Sequence, residues 1–134
     1  MSKDSILSML EANGTFPEEE HVLAGFDTLF KLAEDGQETL EDIVYGFLTA
    51  LDQWSHIDAI VDPALAARLR AWAMTQWRND GDDERAAALC RVLINVRSPE
   101  VADFLREQRQ LTDDAYITQL LDRYIARMAE AAAD

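Results

Sequence analysis

The sequence predicts an all-α protein of about seven helices arranged as αα-hairpins. Apolar residues return every three or four positions through most of the chain, and residues that cap helix N-termini precede these stretches. No segment combines the alternation of a strand with flanking hairpin turns. Either a short solenoid of helix pairs or an irregular helical bundle satisfies this pattern.

The chain has 134 residues, of which 49% are hydrophobic, and this is enough to fill the core of one domain. We therefore expect a single domain over residues 1–134. Apolar residues recur in every segment from Ile6 to Met128, so disorder is disfavoured despite a net charge of −14.

The first half predicts a short helix followed by an αα-hairpin. The short helix spans Asp4 to Glu11, and the second helix covers about residues 17–34, opened by Thr15-Phe16-Pro17-Glu18 and ended by Asp35-Gly36. Thr39, with Asp42 three residues later, opens the third helix. The inward residues are Val22, Phe26, Leu29, Phe30 and Ala33 in the second helix, and Leu40, Ile43, Val44, Phe47, Leu48 and Leu51 in the third.

Four further helices are predicted in the second half. Asp62-Pro63 and Ser98-Pro99-Glu100 open helices near 63–78 and 98–109, because a first-turn proline lacks only an N–H that would have no partner there. Asp82 caps the helix between them, and Thr112 with Asp113 and Asp114 opens the last. The inward residues of these four helices include Leu65, Leu69, Trp72, Ala73, Gln76, Ala86, Leu89, Cys90, Leu93, Ile94, Ile117, Leu120, Leu121, Tyr124 and Met128.

Composition also indicates the cellular compartment of the protein and the classes of partner that it does not bind. Cys90 is the only cysteine, so no intrachain disulfide forms, and its apolar helical surroundings suit a thiol in a reducing cytosol. The N-terminus has no signal-peptide stretch, and nowhere do eighteen apolar residues run together. Together these features predict a cytoplasmic protein. Because nucleic-acid phosphates and anionic membranes repel an acidic chain, we expect that it binds neither of them directly.

Catalytic and cofactor motifs are not found. Glu18 and His21 have the Glu-x-x-His spacing that di-iron bundles use twice. The other histidine is His56, and the residue three positions before it is Gln53, so the chain has no second copy of this motif. No nucleophile elbow, P-loop or dinucleotide fingerprint occurs. Paired acids such as Asp113-Asp114 more simply complement the dipoles of helix starts. We expect no enzymatic activity, no cofactor and no metal.

Charge is divided unevenly along the chain. Residues 1–66 contain two bases and fourteen acids, a net charge of −12, whereas residues 67–134 contain ten arginines and twelve acids, a net charge of −2. Acids recur every seven residues along the second helix, and further acids share a face of the third helix with Tyr45. Such a face either keeps the protein in solution or docks a basic partner, with Tyr45 and Trp54 as aromatic anchors.

The other two tryptophans differ in what their positions predict. Trp72 fits the inward face of the fourth helix and is expected in the core. Trp77 lies off that face beside Arg78, which leaves a partner contact, a cation–π pair or packing at the core or its rim open, and packing is the more common of these.

One stretch resembles a repeat family. Pro63 and Pro99 open helices 36 residues apart, and Glu84 to Leu105 resembles the helix, tight turn, Pro-Glu and next helix of HEAT-like repeats. Asn95, Val96 and Arg97 occupy the turn where those repeats often have a glycine. The prediction is therefore a HEAT-like short solenoid, with an irregular helical bundle as the alternative.

A small, acidic, all-α chain of this kind resembles the immunity proteins of bacterial contact-dependent inhibition and polymorphic toxin systems. The resemblance implies a protein that binds and neutralises a cognate basic toxin, often a nuclease, by covering its active site. The residues expected to meet the toxin are Glu20, Asp27, Glu34, Asp35, Glu38, Glu41, Asp42, Tyr45, Asp52 and Trp54.

Two other functions remain open. A nucleic-acid mimic that inhibits a DNA-binding protein would use the same carboxylates at phosphate-like spacing. A HEAT-like adaptor would instead recognise a helix through apolar side chains, with an affinity that responds little to salt.

Overall fold

The computed structural model describes residues 3–12, 18–36, 38–55 and 62–133, except the side chains of residues 3, 4 and 130–133. Within these residues the chain forms seven α-helices and no strand, which confirms the all-α prediction. The helices are α1 Lys3–Glu11, α2 Glu19–Asp35, α3 Leu40–Ser55, α4 Pro63–Gln76, α5 Asp83–Asn95, α6 Pro99–Leu111 and α7 Ala115–Ala133.

Side-chain caps start four helices at or next to the predicted positions. Asp62 accepts hydrogen bonds from the N–H groups of the first turn of α4, Asp82 does the same for α5, and Ser98 for α6. Thr39 accepts a hydrogen bond from the N–H of Asp42 at 3.2 Å, as expected for the start of α3. The pattern of a short polar side chain near a proline or an acid therefore predicted these four helix starts correctly.

Two helices begin later than predicted. The carboxylate of Asp114 accepts the N–H of Ile117 at 3.0 Å, so Asp114 caps α7. The hydroxyl of Thr112 accepts the N–H of Asp114 instead, and α7 begins later than Thr112 predicted. Helix α2 begins at Glu19, after Glu18, whose side chain makes no capping hydrogen bond. The predicted Thr15 cap and Pro17 lie outside the described residues.

The chain divides into two compact units, residues 1–61 and 62–134. The prediction of one domain over residues 1–134 stays a prediction. In the first unit α3 packs against both α1 and α2. Three aromatic pairs form the centre of its core: Phe26 with Phe47, Phe30 with Phe47, and Phe26 with Trp54, at centroid separations of 6.1, 4.8 and 6.3 Å.

The second unit contains two helix pairs, α4 with α5 and α6 with α7, and α5 also packs against α7. Pro63 and Pro99 therefore each open the first helix of a pair, as their spacing suggested. The HEAT-like stretch from Glu84 to Leu105 runs through α5 and α6, so it covers the end of one pair and the start of the next. The main contacts of α5 are accordingly with α4 and α7.

Most predicted inward residues are buried, including all five of α7. The extra burial on α5 and the small buried face of α4 follow from how many neighbours each helix has in its unit. Helix α5 has two neighbours in its unit and buries Ala88 and Val92 in addition to the predicted face. On α4 only Ala66, Leu69 and Ala73 are buried, and Trp72, expected in the core, is half-buried. Six other predicted inward residues are half-buried: Ala33, Leu40, Leu48, Leu65, Gln76 and Ile94.

Gly36 ends α2 in the left-handed conformation, with φ of 69° and ψ of 12°. A residue with a Cβ is strained there, which explains why Asp35-Gly36 was a reliable stop signal. In the part of the chain that the structure describes, no helix is both long enough and apolar enough to cross a membrane.

Candidate functional site

The candidate site is the acidic surface of the first unit, formed by the outward carboxylates of α2 and α3. On α2, Glu20, Asp27 and Glu34 are all exposed, as is Asp35 in the last turn. The opposite side of the helix carries the buried Val22, Phe26, Leu29 and Phe30. The seven-residue spacing therefore places these acids away from the core, as the sequence predicted.

The acids of α3 and of the turn before it differ more in exposure. Glu41 and Asp52 are exposed, whereas Glu38 and Asp42 are half-buried. Asp42 lies in the first turn, and its backbone N–H bonds to Thr39. Its negative charge there also complements the positive end of the α3 dipole. Asp42 is thus part of the helix start as well as part of the acidic surface.

Tyr45 lies among the α3 acids and is 39% exposed. It is four residues after Glu41 and seven before Asp52, so the three side chains share one face of the helix. The backbone carbonyl of Tyr45 accepts a hydrogen bond from the hydroxyl of Thr49 at 2.9 Å. An aromatic ring with a hydroxyl among carboxylates is a suitable anchor for a contact with a basic protein.

Trp54 corrects the predicted site. Its side chain is 1% exposed and packs edge-on against Phe26, so it is a core residue and offers no surface to a partner. The sequence did contain the signal: Trp54 follows Phe47, Ala50 and Leu51 at helical spacing, and all three are buried. The indole Nε1 has no hydrogen-bond partner among the described residues.

For Trp77 the structure favours core packing, one of the predicted alternatives, over a surface contact. It is 8% exposed, meets the ring of Phe104 edge-on at a centroid distance of 5.9 Å, and donates its indole N–H to Asn79 Oδ1 at 3.2 Å. The neighbouring Arg78 guanidinium instead donates to the backbone carbonyls of Thr75 and Trp77. Trp77 therefore closes the second unit's core and is not a surface contact.

Glu18, Glu20 and His21 bring their ligand-type atoms within 4.8 Å of one another. The Glu-x-x-His spacing paired Glu18 with His21, and the structure adds Glu20, whose Oε1 lies 3.8 Å from His21 Nε2. All three side chains are exposed. A solvated helix start explains this arrangement, and we assign no metal to it.

Sequence reasoning missed an exposed apolar pair in the second unit. Leu111 and Tyr116 are 59% and 54% exposed and flank the turn between α6 and α7. The available signal was Tyr116, which lies just before the inward stripe that starts at Ile117. Asp113 and Asp114 occupy the same turn, so this pair also lies among acids.

Comparison with other proteins adds no assignment. No protein-family model matches the chain, and neither a curated protein nor a solved structure shows significant similarity to it.

Proposed function

We propose that this protein is an immunity protein, which binds and neutralises a cognate basic toxin domain, a nuclease, through the acidic surface of α2 and α3. One observation supports the proposal most. Exposed carboxylates on both helices point away from a well-packed core, and an exposed tyrosine stands among them.

The chemistry of the partner follows from the sign of this surface. A nuclease binds phosphates with arginines and lysines, and these are the groups that carboxylates pair with most strongly. Complementary charge accelerates association and selects against acidic partners. An aromatic side chain near the centre of such a contact typically contributes a large share of the binding free energy. Tyr45 fills that role among Glu41, Asp42 and Asp52.

The same geometry makes the proposal testable without unfolding the protein. Glu20, Asp27 and Glu34 lie on the exposed side of α2, where substitutions change stability by only about 0.5 kcal/mol. A loss of binding after neutralising them would thus report on the surface and not on the core.

The experiment is co-expression with the product of the adjacent open reading frame, because toxin and immunity genes usually lie together. We expect protection of the host and co-purification of the two proteins. A variant carrying E20Q, D27N and E34Q together should bind more weakly and lose much of its salt dependence, since counter-charges have been removed. The control carries E100Q, E107Q and D113N, which change the net charge equally on exposed positions of the second unit.

Tyr45→Ala should weaken the complex through faster dissociation, by more than about 1 kcal/mol. Failure of the neighbouring product to bind or to be neutralised would contradict the proposal. An equal effect of the two triple variants would show that net charge, and not this surface, matters. Binding to several unrelated DNA-binding proteins would favour the nucleic-acid mimic, and salt-independent binding would favour the adaptor.

A further inference from the structure

A cavity of about 390 Å³ lies between the start of α6 and the end of α7, within the second unit. This volume falls within the range of small-molecule sites, roughly 300–1,000 Å³. The cavity exists because Ala102 and Ala129, which line it, are too short to fill the space between the two helices. The buried Met128 and the ring of Pro99 complete an apolar wall.

Basic groups also line the cavity. Arg97 and Arg106 lie there, with the first turn of α6 and therefore the positive end of its dipole. Asp103 also lines the cavity, and its carboxylate is paired with Arg106, with Nη1 3.2 Å from Oδ1, so the charge of Arg106 is already balanced. Arg97 has no ion-pair or hydrogen-bond partner among the residues that the structure describes, which leaves its guanidinium available to a ligand.

Apolar walls and an available guanidinium define the chemistry of the occupant. Arg97 is exposed at the edge of the cavity, so an apolar body alone would make no use of its guanidinium, and a bare inorganic anion would make no use of the walls of Pro99, Ala102 and Met128. A carboxylate on a short aliphatic chain satisfies both requirements, because guanidinium groups bind carboxylates with two parallel hydrogen bonds. We propose that the α6–α7 cavity binds a small aliphatic carboxylate, with Arg97 as the principal partner of the carboxylate and Ala102, Met128 and Ala129 around the chain.

The proposal is independent of the acidic surface on α2 and α3, so either one can fail without the other. The test is a titration of the purified full-length chain with octanoate, followed by amide chemical shifts in nuclear magnetic resonance spectra. Saturable shifts are expected for the amides of residues 97–106 and 128–129. Acetate, which lacks the chain, and 1-octanol, which lacks the charge, should each bind at least about fivefold more weakly.

Three variants separate the contributions. Arg97→Gln should raise the Kd for octanoate about threefold to tenfold, and Arg106→Gln should raise it less, because Arg106 already has Asp103 as its partner. Ala102→Leu should abolish binding by filling the cavity while it retains both arginines. The control is Arg91→Gln, an exposed arginine on α5 that does not line the cavity, and it should leave the Kd unchanged.

Absence of saturable shifts in the wild-type protein would overturn the proposal whatever the variants do. Equal affinity for octanoate and 1-octanol would also overturn it, because the arginines would then have no part in binding. An equal effect of Arg97→Gln and Arg91→Gln would reduce the interaction to general electrostatics and would contradict the assigned site.

Discussion

The side-chain amide of Asn79 donates a hydrogen bond to Oε1 of Gln108 at 3.0 Å, which connects the loop after α4 to the last turn of α6. Asn79 also accepts the indole N–H of Trp77. Gln108 is only 8% exposed, so its amide depends on this loop for a partner. The pair shows how one short polar side chain satisfies two groups that are distant in the sequence.

Replacing Asn79 with alanine should lower the free energy of unfolding by about 1–3 kcal/mol, because it leaves both Gln108 and the indole of Trp77 without their partner. Urea denaturation followed by circular dichroism measures this change. The matched control is Asn95→Ala, since Asn95 is exposed and bonds only to the carbonyl of Arg91 in its own helix. If the two variants lost the same free energy of unfolding, the Asn79 hydrogen bonds would contribute no more to stability than one exposed hydrogen bond within a helix.

Gly46 lies on α3 where side chains of α1 and α2 leave no room for a Cβ. A Cβ at this position would lie 2.5 Å from Leu29 Cδ2 and 3.0 Å from Ile6 Cγ2, and both of those side chains are fully buried. Alanine gains about 1 kcal/mol in helix propensity, but overpacking a core costs about 1–3 kcal/mol. We therefore expect Gly46→Ala to destabilise the protein by about 1 kcal/mol.

A double-mutant cycle identifies the cause of that loss. In the background of Leu29→Ala the clash with Cδ2 is gone, so Gly46→Ala should cost less there than in the wild-type protein. Thermal unfolding of the four proteins provides the comparison. The packing explanation would be wrong if the two substitutions were additive.

Asp83 begins α5 near the carboxylates of Asp82 and Asp114. Burial, Asp114 and Asp82, in that order of importance, raise its pKa above the ordinary value of 3.8. A raised pKa means that the folded state binds the proton more tightly than the unfolded state, so ionised Asp83 opposes folding above its folded-state pKa. Asp83→Asn should thus raise the melting temperature at pH 7.

The gain from Asp83→Asn should shrink as the pH falls and vanish below the ordinary pKa of an aspartate, because Asp83 is then neutral in both states. Melting temperatures across this range test the sign as well as the size. Asp113→Asn is the control, as an exposed acid in the turn before α7. A gain that grows toward low pH would refute the assignment.

The thiol of Cys90 should be unreactive in the native protein. Its side chain is fully buried in α5, and burial raises the pKa of the thiol to about 12. Since the thiolate is the reactive form, a disulfide reagent at pH 8 should react on the order of a hundredfold more slowly with the folded protein than with the urea-unfolded chain. Cys90 is the only cysteine, so the signal has a single source. Equally fast reaction in both states would show that the thiol is accessible.

Local signals predicted most of the helices and much of the core. The caps Asp62, Asp82 and Ser98 act on N–H groups two or three residues away, and a helical face repeats every three or four residues, so both are visible in a short stretch of sequence. Asp114 and not Thr112 caps α7: the Thr112 hydroxyl accepts the N–H of Asp114 in the turn before the helix, and the Asp114 carboxylate accepts the N–H of Ile117 inside it. Periodicity alone also placed the acids of α2 on the solvent side.

The environment of the aromatic residues was not predictable in the same way. Trp54 is buried by Phe26, which lies on another helix, and Trp77 by Phe104. Tyr45, by contrast, remains exposed on the same helix as Trp54. Spacing places Trp54 on the buried face of α3, but whether a large side chain on such a face is fully covered depends on residues far away in the chain.

By itself the sequence determined the helical class, most helix boundaries, the concentration of negative charge in residues 1–66 and the outward direction of the α2 acids. Only the tertiary structure decided that α5 packs against both α4 and α7, that Trp54 belongs to the core, and that Ala102 and Ala129 leave a cavity beside Arg97. The physical reason is how far apart in the sequence the interacting residues are. Capping and helical hydrogen bonds join residues within one turn of each other, whereas burial and cavities depend on which distant surfaces meet.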